Sequence, residues 1–223
     1  MSEQKHNSQA RFSGPQTLND LALIIESLIG PDLKTCHIVY NELTLEVYAG
    51  SIVRILTILR DNQRCQFKQL IDICGVDYPD HSQRFEIIYH LLSLTHNHRL
   101  RVMVLTDGET PIPSVCEVFK SANWWEREVW DLYGVPFSDH PDLRRILTDY
   151  HFDGHPMRKD FPLTGYLEVR YDETQKRVVY EPISLPQEFR TFDFLSPWEG
   201  ILKPNPEVSK VPSLLSDKET NHD

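Results

Sequence analysis

Apolar positions in the first half of the chain recur with two periods, one typical of helices and one typical of strands. In TLNDLALIIESLIG they recur every three or four residues, which predicts a helix with Thr17 as its N-cap. Gly30 and Pro31 are expected to end it. The same spacing predicts a second helix in SIVRILTILRDNQ.

Shorter runs of β-forming residues lie between and after these helices. CHIVY and LTLEVYA flank the expected turn residues Asn41 and Glu42, and QRFEIIYHLLSL and LRVMVLT flank THNH, so we predict two hairpins. FKQLIDICGVDYP fits a helix and a strand equally well. SVCEVFKSA and NWWEREVWDLYG are predicted as two short helices, the second capped by Asn123 and ended by Gly134. This order predicts an α+β fold, a two-layer domain with a mixed or antiparallel sheet covered by helices on one face.

The pattern changes after residue 135, where ten of the fifteen prolines lie. Proline fixes φ and removes a backbone donor, so we expect an extended segment with one short helix at PDLRRILTDY. The segment keeps too many aromatic residues for a free tail and needs a surface to pack on, either its own domain or another subunit. These aromatic residues are Phe161, Tyr166, Tyr171, Tyr180, Phe189, Phe192, Phe194 and Trp198.

Four regions follow from these patterns. Residues 1–16 are predicted to be a disordered N-terminus, and residues 17–135 form the α+β domain. Residues 136–202 form an extended, proline-rich arm that docks on a partner, and residues 203–223 form a flexible tail.

Composition narrows the functional class. The net charge of −10 argues against a nucleic-acid partner. The four cysteines form no C-x-x-C pair, so they are interpreted as reduced core residues and not as cluster or zinc ligands. No apolar run approaches the roughly 20 residues of a membrane-spanning helix, and the N-terminus lacks the features of a signal or transit peptide. The chain is therefore expected on the cytosolic or matrix side of a membrane.

Three histidines, His140, His151 and His155, are candidate metal ligands. Two of them are four residues apart and could share zinc on a continuous helix, but Gly154 and Pro156 interrupt that geometry. Hydrogen bonding in loops or at helix ends is the favoured interpretation.

The stretch GHPMRKDFPLTG combines basic residues with stiff backbone. An anion pocket is one interpretation, but residues 140–170 hold five basic and five acidic side chains, interleaved along the segment. Interleaved charges favour paired salt bridges at an interface over a phosphate site, and a solvated face is the third alternative. Pro156 and Pro162 hold the stretch extended, so we expect its charged side chains to point outward.

The helix NWWEREVWDLYG carries three tryptophans within seven residues. These side chains belong either to the core or to a partner contact, and Arg127 and Asp131 are spaced for an i,i+4 ion pair. Isolated residues such as Asp77 and His90 are interpreted as structural.

Two hypotheses remain open at this point. The first is a non-catalytic assembly subunit whose arm packs on a larger protein, and the alternative is a stand-alone enzyme with an anion-binding loop at GHPMRKD. No catalytic, cofactor-binding or metal residue is predicted. The predicted partner interface consists of Trp124, Glu126, Arg127, Glu128, Asp131, His140, Arg144, Arg145, His155, Arg158, Lys159, Asp160 and Phe161.

Three blocks of sequence between Glu126 and Leu163 resemble the 30 kDa-type subunit of NADH:quinone oxidoreductase, respiratory complex I. They are EREVWDLYGV, HPDLRRILTDY and GHPMRKDFPL. The later stretch YEPISLPQEFRTFDFLSPWEG is similar to the alphaproteobacterial and mitochondrial branch. His151 and Met157 depart from the usual pattern of that family.

The resemblance implies a peripheral-arm subunit that supports NADH oxidation coupled to quinone reduction and proton translocation. Its expected partners are the subunits that carry the terminal iron–sulfur cluster and the quinone cavity. FMN, iron–sulfur clusters and quinone are then held by partner subunits, with no cofactor and no chemical step in this chain alone. The expected location is the cytoplasmic side of the cell inner membrane, or the matrix side in an organelle, as a peripheral protein.

Overall fold

The computed structural model describes residues 17–187 and 190. The chain divides into two compact units, residues 1–183 and 184–223. In the second unit, the described residues 184–187 and 190 lie outside helices and strands. The predictions for residues 1–16 and 203–223, and those for Phe189, Phe192, Phe194 and Trp198, fall outside the described residues. The predicted domain boundaries stay predictions.

Helices and strands of the first unit follow one another in an α+β order. The three helices within the described residues are α1 (Leu18–Ile29), α2 (Ile52–Asp61) and α3 (Ala122–Tyr133). The strands are β1 (Leu33–Val39), β2 (Glu42–Val47), β3 (Gln69–Asp77), β4 (Phe85–Ser93), β5 (His98–Thr106), β6 (Ile112–Pro113), β7 (Phe137–Ser138), β8 (Leu167–Asp172) and β9 (Arg177–Pro182).

A five-stranded mixed sheet forms the centre of this unit. Its strand order is β1-β2-β5-β4-β3, with β2 and β5 parallel and the other neighbours antiparallel. The pairs β6–β7 and β8–β9 form two small sheets. The predicted α+β class with a mixed sheet is confirmed.

One face of the sheet is buried against the helices. Buried and half-buried residues alternate along β4 and most of β5, so that every second side chain enters the core. A single apolar cluster joins this face with side chains of α1, α2 and α3. On β3, Gly75 brings the backbone close to the Tyr133 ring, and an added Cβ would lie 2.6 Å from that ring. Gly75 thus allows α3 to approach β3.

The local signals for α1 and the two hairpins agree with the structure, with one shift. The Thr17 hydroxyl accepts the Asp20 N–H, and Gly30 ends α1 with φ of +61°. The first hairpin turns at Tyr40 and Asn41, both with positive φ, and not at Asn41 and Glu42. Such a two-residue turn matches the right-handed twist of the strands. The ambiguous FKQLIDICGVDYP segment contains β3.

Two predicted helices are absent from the described structure, and one predicted cap is wrong. SVCEVFKSA forms turns, because the Val115 N–H donates to the Glu126 carboxylate and the Val118 carbonyl accepts from Arg60. PDLRRILTDY is irregular, because side chains of α3 bond its backbone. Asn123 lies inside α3, which begins at Ala122 and has no side-chain cap bond.

Replacing Gly75 with Ala should destabilise the chain by roughly 1–3 kcal/mol, because the new methyl group overlaps the Tyr133 ring. Urea unfolding followed by circular dichroism measures the change. Gly50→Ala is the matched control, since nothing lies within 4 Å of its added Cβ, and it should shift stability by no more than about 0.5 kcal/mol. Equal stability of the two variants would contradict this account of the α3–β3 contact.

Candidate functional site

The third helix organises most of the predicted interface residues. It buries two acidic side chains, Glu126 and Asp131, and each of them bonds a different irregular segment. Buried charges require hydrogen-bond or ionic partners, so these two residues determine what can pack on the helix.

Asp131 holds the segment 145–148 through both of its oxygens. Oδ2 accepts the backbone N–H groups of Ile146 at 3.1 Å, Leu147 at 2.7 Å and Thr148 at 2.9 Å. Oδ1 accepts the Thr148 hydroxyl and the Arg145 guanidinium, the latter at 2.8 Å. Burial alone raises the pKa of Asp131, but the bonds from Thr148, Leu147 and Arg145 outweigh it and hold the pKa well below its usual value. We call this arrangement the Asp131 clamp.

Arg127 also bonds this segment, through backbone carbonyls instead of N–H groups. Its guanidinium donates to the backbone carbonyls of Arg144 and Arg145, each at 3.0 Å. The predicted ion pair between Arg127 and Asp131 is therefore wrong, because each side chain is used by the backbone of residues 144–148. Arg145 also donates to the Gly154 carbonyl at 3.0 Å, which extends the bonded region along the chain.

His155 and Arg158 fold back over the end of α3. Arg158 donates to the Tyr133 carbonyl at 2.6 Å, and Nδ1 of His155 lies 2.9 Å from the Asp131 carbonyl, to which it donates. Gly134 has φ of +76°, and an added Cβ would lie 2.5 Å from both side chains. The expectation that these two residues point outward is wrong. Burial lowers the pKa of His155, assisted by nearby cationic side chains.

A second carboxylate, Asp77, joins the same stretch to the sheet. It is 3 % exposed, pairs with Arg84 at 2.7 and 2.8 Å, and accepts the Lys159 N–H at 2.7 Å. Arg84 also pairs with Asp160 at 2.8 Å. The bond from Arg84 lowers the pKa of Asp77. The structural interpretation of Asp77 agrees with these bonds, whereas its bond to residue 159 had no sequence signal.

Glu126 lies in a closed polar pocket. Its carboxylate accepts the Ser114 hydroxyl at 2.6 Å and the Val115 N–H at 2.7 Å, and Cys116 Sγ is 3.5 Å away. Burial raises the pKa of Glu126, against the lowering effect of these bonds. His140 Nε2 lies 3.9 Å from the carboxylate.

Cys116, Glu126 and His140 are a candidate metal centre, since their ligand atoms lie within 4.8 Å of one another. However, the Asp142 N–H donates to Nδ1 of His140, so the ring proton sits on Nε2. That nitrogen donates to the Asn123 carbonyl at 3.0 Å and offers a metal no lone pair. The residues do not fit a metal, and the favoured interpretation of His140 as a hydrogen-bonding residue agrees with its contacts.

The bonds of the four predicted basic residues bear on the anion-pocket alternative. Arg144 pairs with Asp142, Arg145 with Asp131, and Arg158 bonds a carbonyl, whereas the Lys159 side chain is exposed. Three of the four cationic groups thus already have partners in the chain. This geometry leaves little unpaired positive charge in the stretch to bind an anion.

The tryptophans of α3 divide between core and surface. Trp125 and Trp130 pack against the apolar core, and the Trp130 ring meets the edge of His155 and lies near the Arg145 guanidinium. Trp124 is 68 % exposed. The core interpretation therefore applies to Trp125 and Trp130, and the partner contact of Trp124 stays a prediction. Glu128 and Phe161, also predicted at the interface, are half-buried.

The hairpin β8–β9 was not predicted from the sequence, although apolar residues alternate along both of its strands. Its strands pair Leu167 with Pro182, Val169 with Tyr180, and Tyr171 with Val178, so these six side chains share one face. Each of them is exposed. We call this surface, residues 167, 169, 171, 178, 180 and 182, the apolar hairpin face. The opposite face carries charged residues, including the pair Arg170–Glu181.

The four cysteines are free, with Cys65 and Cys116 buried, and burial raises the pKa of each of the four thiols to about 11. Such thiols are poor nucleophiles at neutral pH.

Within the described residues, every helix is too short or too polar to cross a bilayer.

Known proteins are similar to this chain over most of its length. The family model "Respiratory-chain NADH dehydrogenase, 30 Kd subunit" matches residues 45–167. The C-type subunit of NADH-quinone oxidoreductase from Paramagnetospirillum magneticum is 60 % identical over 83 % of this chain and 94 % of its own length. The protein of the same name from Methylobacterium sp. strain 4-46 is 65 % identical over 84 % and 87 %.

Similarity in structure extends to a distant protein. A chain in the archaeal respiratory complex membrane-bound sulfane sulfur reductase matches with a TM-score of 0.56 and 24 % identity, over 65 % of this chain and 85 % of its own. At that identity the match concerns the fold.

Asp131→Asn should destabilise the chain by about 3 kcal/mol at neutral pH, because an amide nitrogen would face donors and the charge on Arg145 would lose its partner. Urea unfolding measures the loss. Asp142→Asn makes the same chemical change at an exposed ion pair and should cost less than about 0.5 kcal/mol.

The destabilisation caused by Asp131→Asn should become smaller as the pH falls. Because the folded pKa of Asp131 lies below the unfolded one, its contribution is complete above about pH 4 and is lost as the pH falls from there through the folded pKa. The stability difference between parent and Asp131→Asn should therefore shrink below about pH 4. A constant difference down to about pH 2 would contradict the clamp.

Adding Zn²⁺ should leave the Tm of the chain unchanged within about 1 °C, because His140 Nε2 keeps its proton. Thermal scans with and without a small excess of zinc provide the measurement, with Cys116→Ser as the control variant. A rise in Tm that Cys116→Ser abolishes would show that the three side chains bind metal after all.

Proposed function

The chain belongs to the family of the 30 Kd subunit of the respiratory-chain NADH dehydrogenase, and from this membership we propose that it is a non-catalytic peripheral-arm subunit of proton-translocating NADH:quinone oxidoreductase. In this role it supports assembly of the complex and electron transfer from NADH to quinone. It does so by packing on the subunits that carry the terminal iron–sulfur cluster and the quinone cavity.

The distribution of exposed apolar side chains carries the proposal. Ten large ones lie within residues 147–180, against eight in the much longer stretch 17–146. Exposed apolar area at this density marks a surface that another protein covers. The ten are Leu147, Tyr150, Met157, Leu163, Tyr166, Leu167, Val169, Tyr171, Val178 and Tyr180.

The absence of a chemical step in this chain is part of the proposal. The buried acidic groups Asp77, Glu126 and Asp131 are each bonded by backbone N–H groups and side chains of the same chain, which suits structural roles. FMN, iron–sulfur clusters and quinone are then bound by partner subunits. The chain associates with the inner membrane as a peripheral protein on the cytoplasmic side, or on the matrix side in an organelle.

Purification of a tagged full-length chain in mild detergent tests this function. We expect it to bring down a complex that contains FMN and iron and oxidises NADH with quinone as acceptor. A chain that purifies as a monomer from cells holding the complete oxidoreductase would contradict the proposal. Turnover of a phosphorylated substrate by that monomer, lost in Arg158→Ala, would instead support the enzyme alternative at GHPMRKD.

Trp124→Glu should reduce incorporation of the tagged chain into the complex at least about tenfold, since Trp124 is an exposed aromatic anchor on α3. Leu94→Glu is the control, because Leu94 is similarly exposed at 72 % but lies in the turn between β4 and β5. Quantitative mass spectrometry of the purified complex measures incorporation. Equal incorporation of both variants would remove Trp124 from the predicted interface.

A further inference from the structure

We propose that the apolar hairpin face is a docking surface for an apolar patch of a neighbouring subunit of the complex, and that the hairpin becomes stable only when this patch covers it. The inference rests on the proposed function, because it assigns a specific surface and a partner chemistry to the docking arm. It shifts the docking surface from the charged GHPMRKD stretch to β8 and β9.

The two faces of the hairpin differ sharply in chemistry. On the apolar face, Val169, Val178 and Tyr180 are 56, 54 and 57 % exposed. On the opposite face, Arg170 and Glu181 satisfy one another at 2.9 and 3.0 Å. A partner that covers the apolar side therefore needs apolar side chains rather than compensating charges.

The area of the face is comparable with one side of an interface. Five of the six side chains are 52–61 % exposed, and the two tyrosines among them have roughly 150–250 Å² of surface each, so the face presents on the order of 500 Å². A standard interface buries about 800 Å² on each partner. The face alone thus supplies most of one partner's share, and contacts from Leu163 and Tyr166 on a larger partner could supply the rest.

An isolated two-stranded hairpin is at best marginally stable in water and needs a third strand or a packed face. Within the described part of the chain, two bonds connect the β9 end of the hairpin with residues before it: the Tyr180 hydroxyl donates to Asp149, and the Ile183 N–H donates to the Tyr166 carbonyl. Both lie near one end of the pair, and the apolar side chains in its middle are more than half exposed. Covering the face with apolar side chains would supply the missing stabilisation.

A neighbouring subunit is a better occupant than a second copy of the chain. Self-association through this face alone would bury on the order of 1,000 Å² in total, below the roughly 1,200 Å² at the lower end of specific interfaces, whereas a larger partner can also contact residues outside the face. The relatives that match this chain are named as subunits of a larger oxidoreductase, so other subunits are present to cover it.

Hydrogen exchange of the full chain, free and within the purified complex, tests the inference. In the free chain, amides of β8 and β9 should exchange much faster than those of the central strands β4 and β5. In the complex their protection should rise at least about tenfold. Equal protection of the hairpin in both samples would overturn the inference.

Val178→Glu and Arg177→Glu form a matched pair of variants. The two residues are adjacent on β9, both are exposed, and their side chains lie on opposite faces. Val178→Glu should lower incorporation into the complex at least about tenfold, whereas Arg177→Glu, with the larger change in charge, should incorporate like the parent. Val178→Ile should also incorporate normally, which separates loss of apolar contact from loss of the strand.

The outcomes separate this inference from the proposed function. If the parent chain does not enter the complex, the proposed function fails. If it enters while the hairpin amides stay unprotected, or while Val178→Glu incorporates normally, only the hairpin inference fails. A free chain that is dimeric in solution and becomes monomeric with Val178→Glu would identify a second copy as the occupant and overturn the inference.

Discussion

One buried carboxylate, that of Asp131, fixes the structure of the chain after α3. It accepts three consecutive backbone N–H groups, a hydroxyl and a guanidinium, which uses all the acceptor capacity of its two oxygens. A backbone without helix or strand must find partners for its polar groups, because each buried group left without one carries a desolvation cost. The side chains of α3 provide those partners, so the irregular segment 144–148 can pack on a helix.

The same principle links three acidic residues, two of them on α3 and one at the end of β3. Asp131 bonds residues 145–148, Glu126 bonds residues 114 and 115, and Asp77 bonds residue 159. In each case a helix or strand supplies a rigid carboxylate and a loop supplies N–H groups. Gly134, which admits His155 and Arg158 against the end of α3, completes this packing. Contacts within the chain itself therefore account for many of the charged side chains in EREVWDLYGV, HPDLRRILTDY and GHPMRKDFPL.

The sequence predicts well whatever depends on near neighbours. The Thr17 cap, the Gly30 stop and the strands β4 and β5 all follow from spacing over a few residues. It fails where distant residues decide. A helical spacing in PDLRRILTDY is overruled by Asp131, which lies 15–17 residues from the N–H groups it accepts. The partners of Arg145, Arg158 and Asp160 within the fold are likewise not visible along the chain, and the interface inferred from these charges stays a prediction.

Charged and apolar side chains are distributed differently over the surface, and this distribution affects how the chain associates with other proteins. Between residues 140 and 160 most charged side chains bond their own chain, while the exposed side chains of β8 and β9 on one face are apolar. Charged rims favour rapid and reversible encounters, whereas large apolar interfaces are typical of permanent assemblies. A chain built in this way is suited to a complex that assembles once. Under the proposed function, the charged side chains of residues 140–160 mainly stabilise the fold, and the apolar hairpin face is the surface that a partner covers.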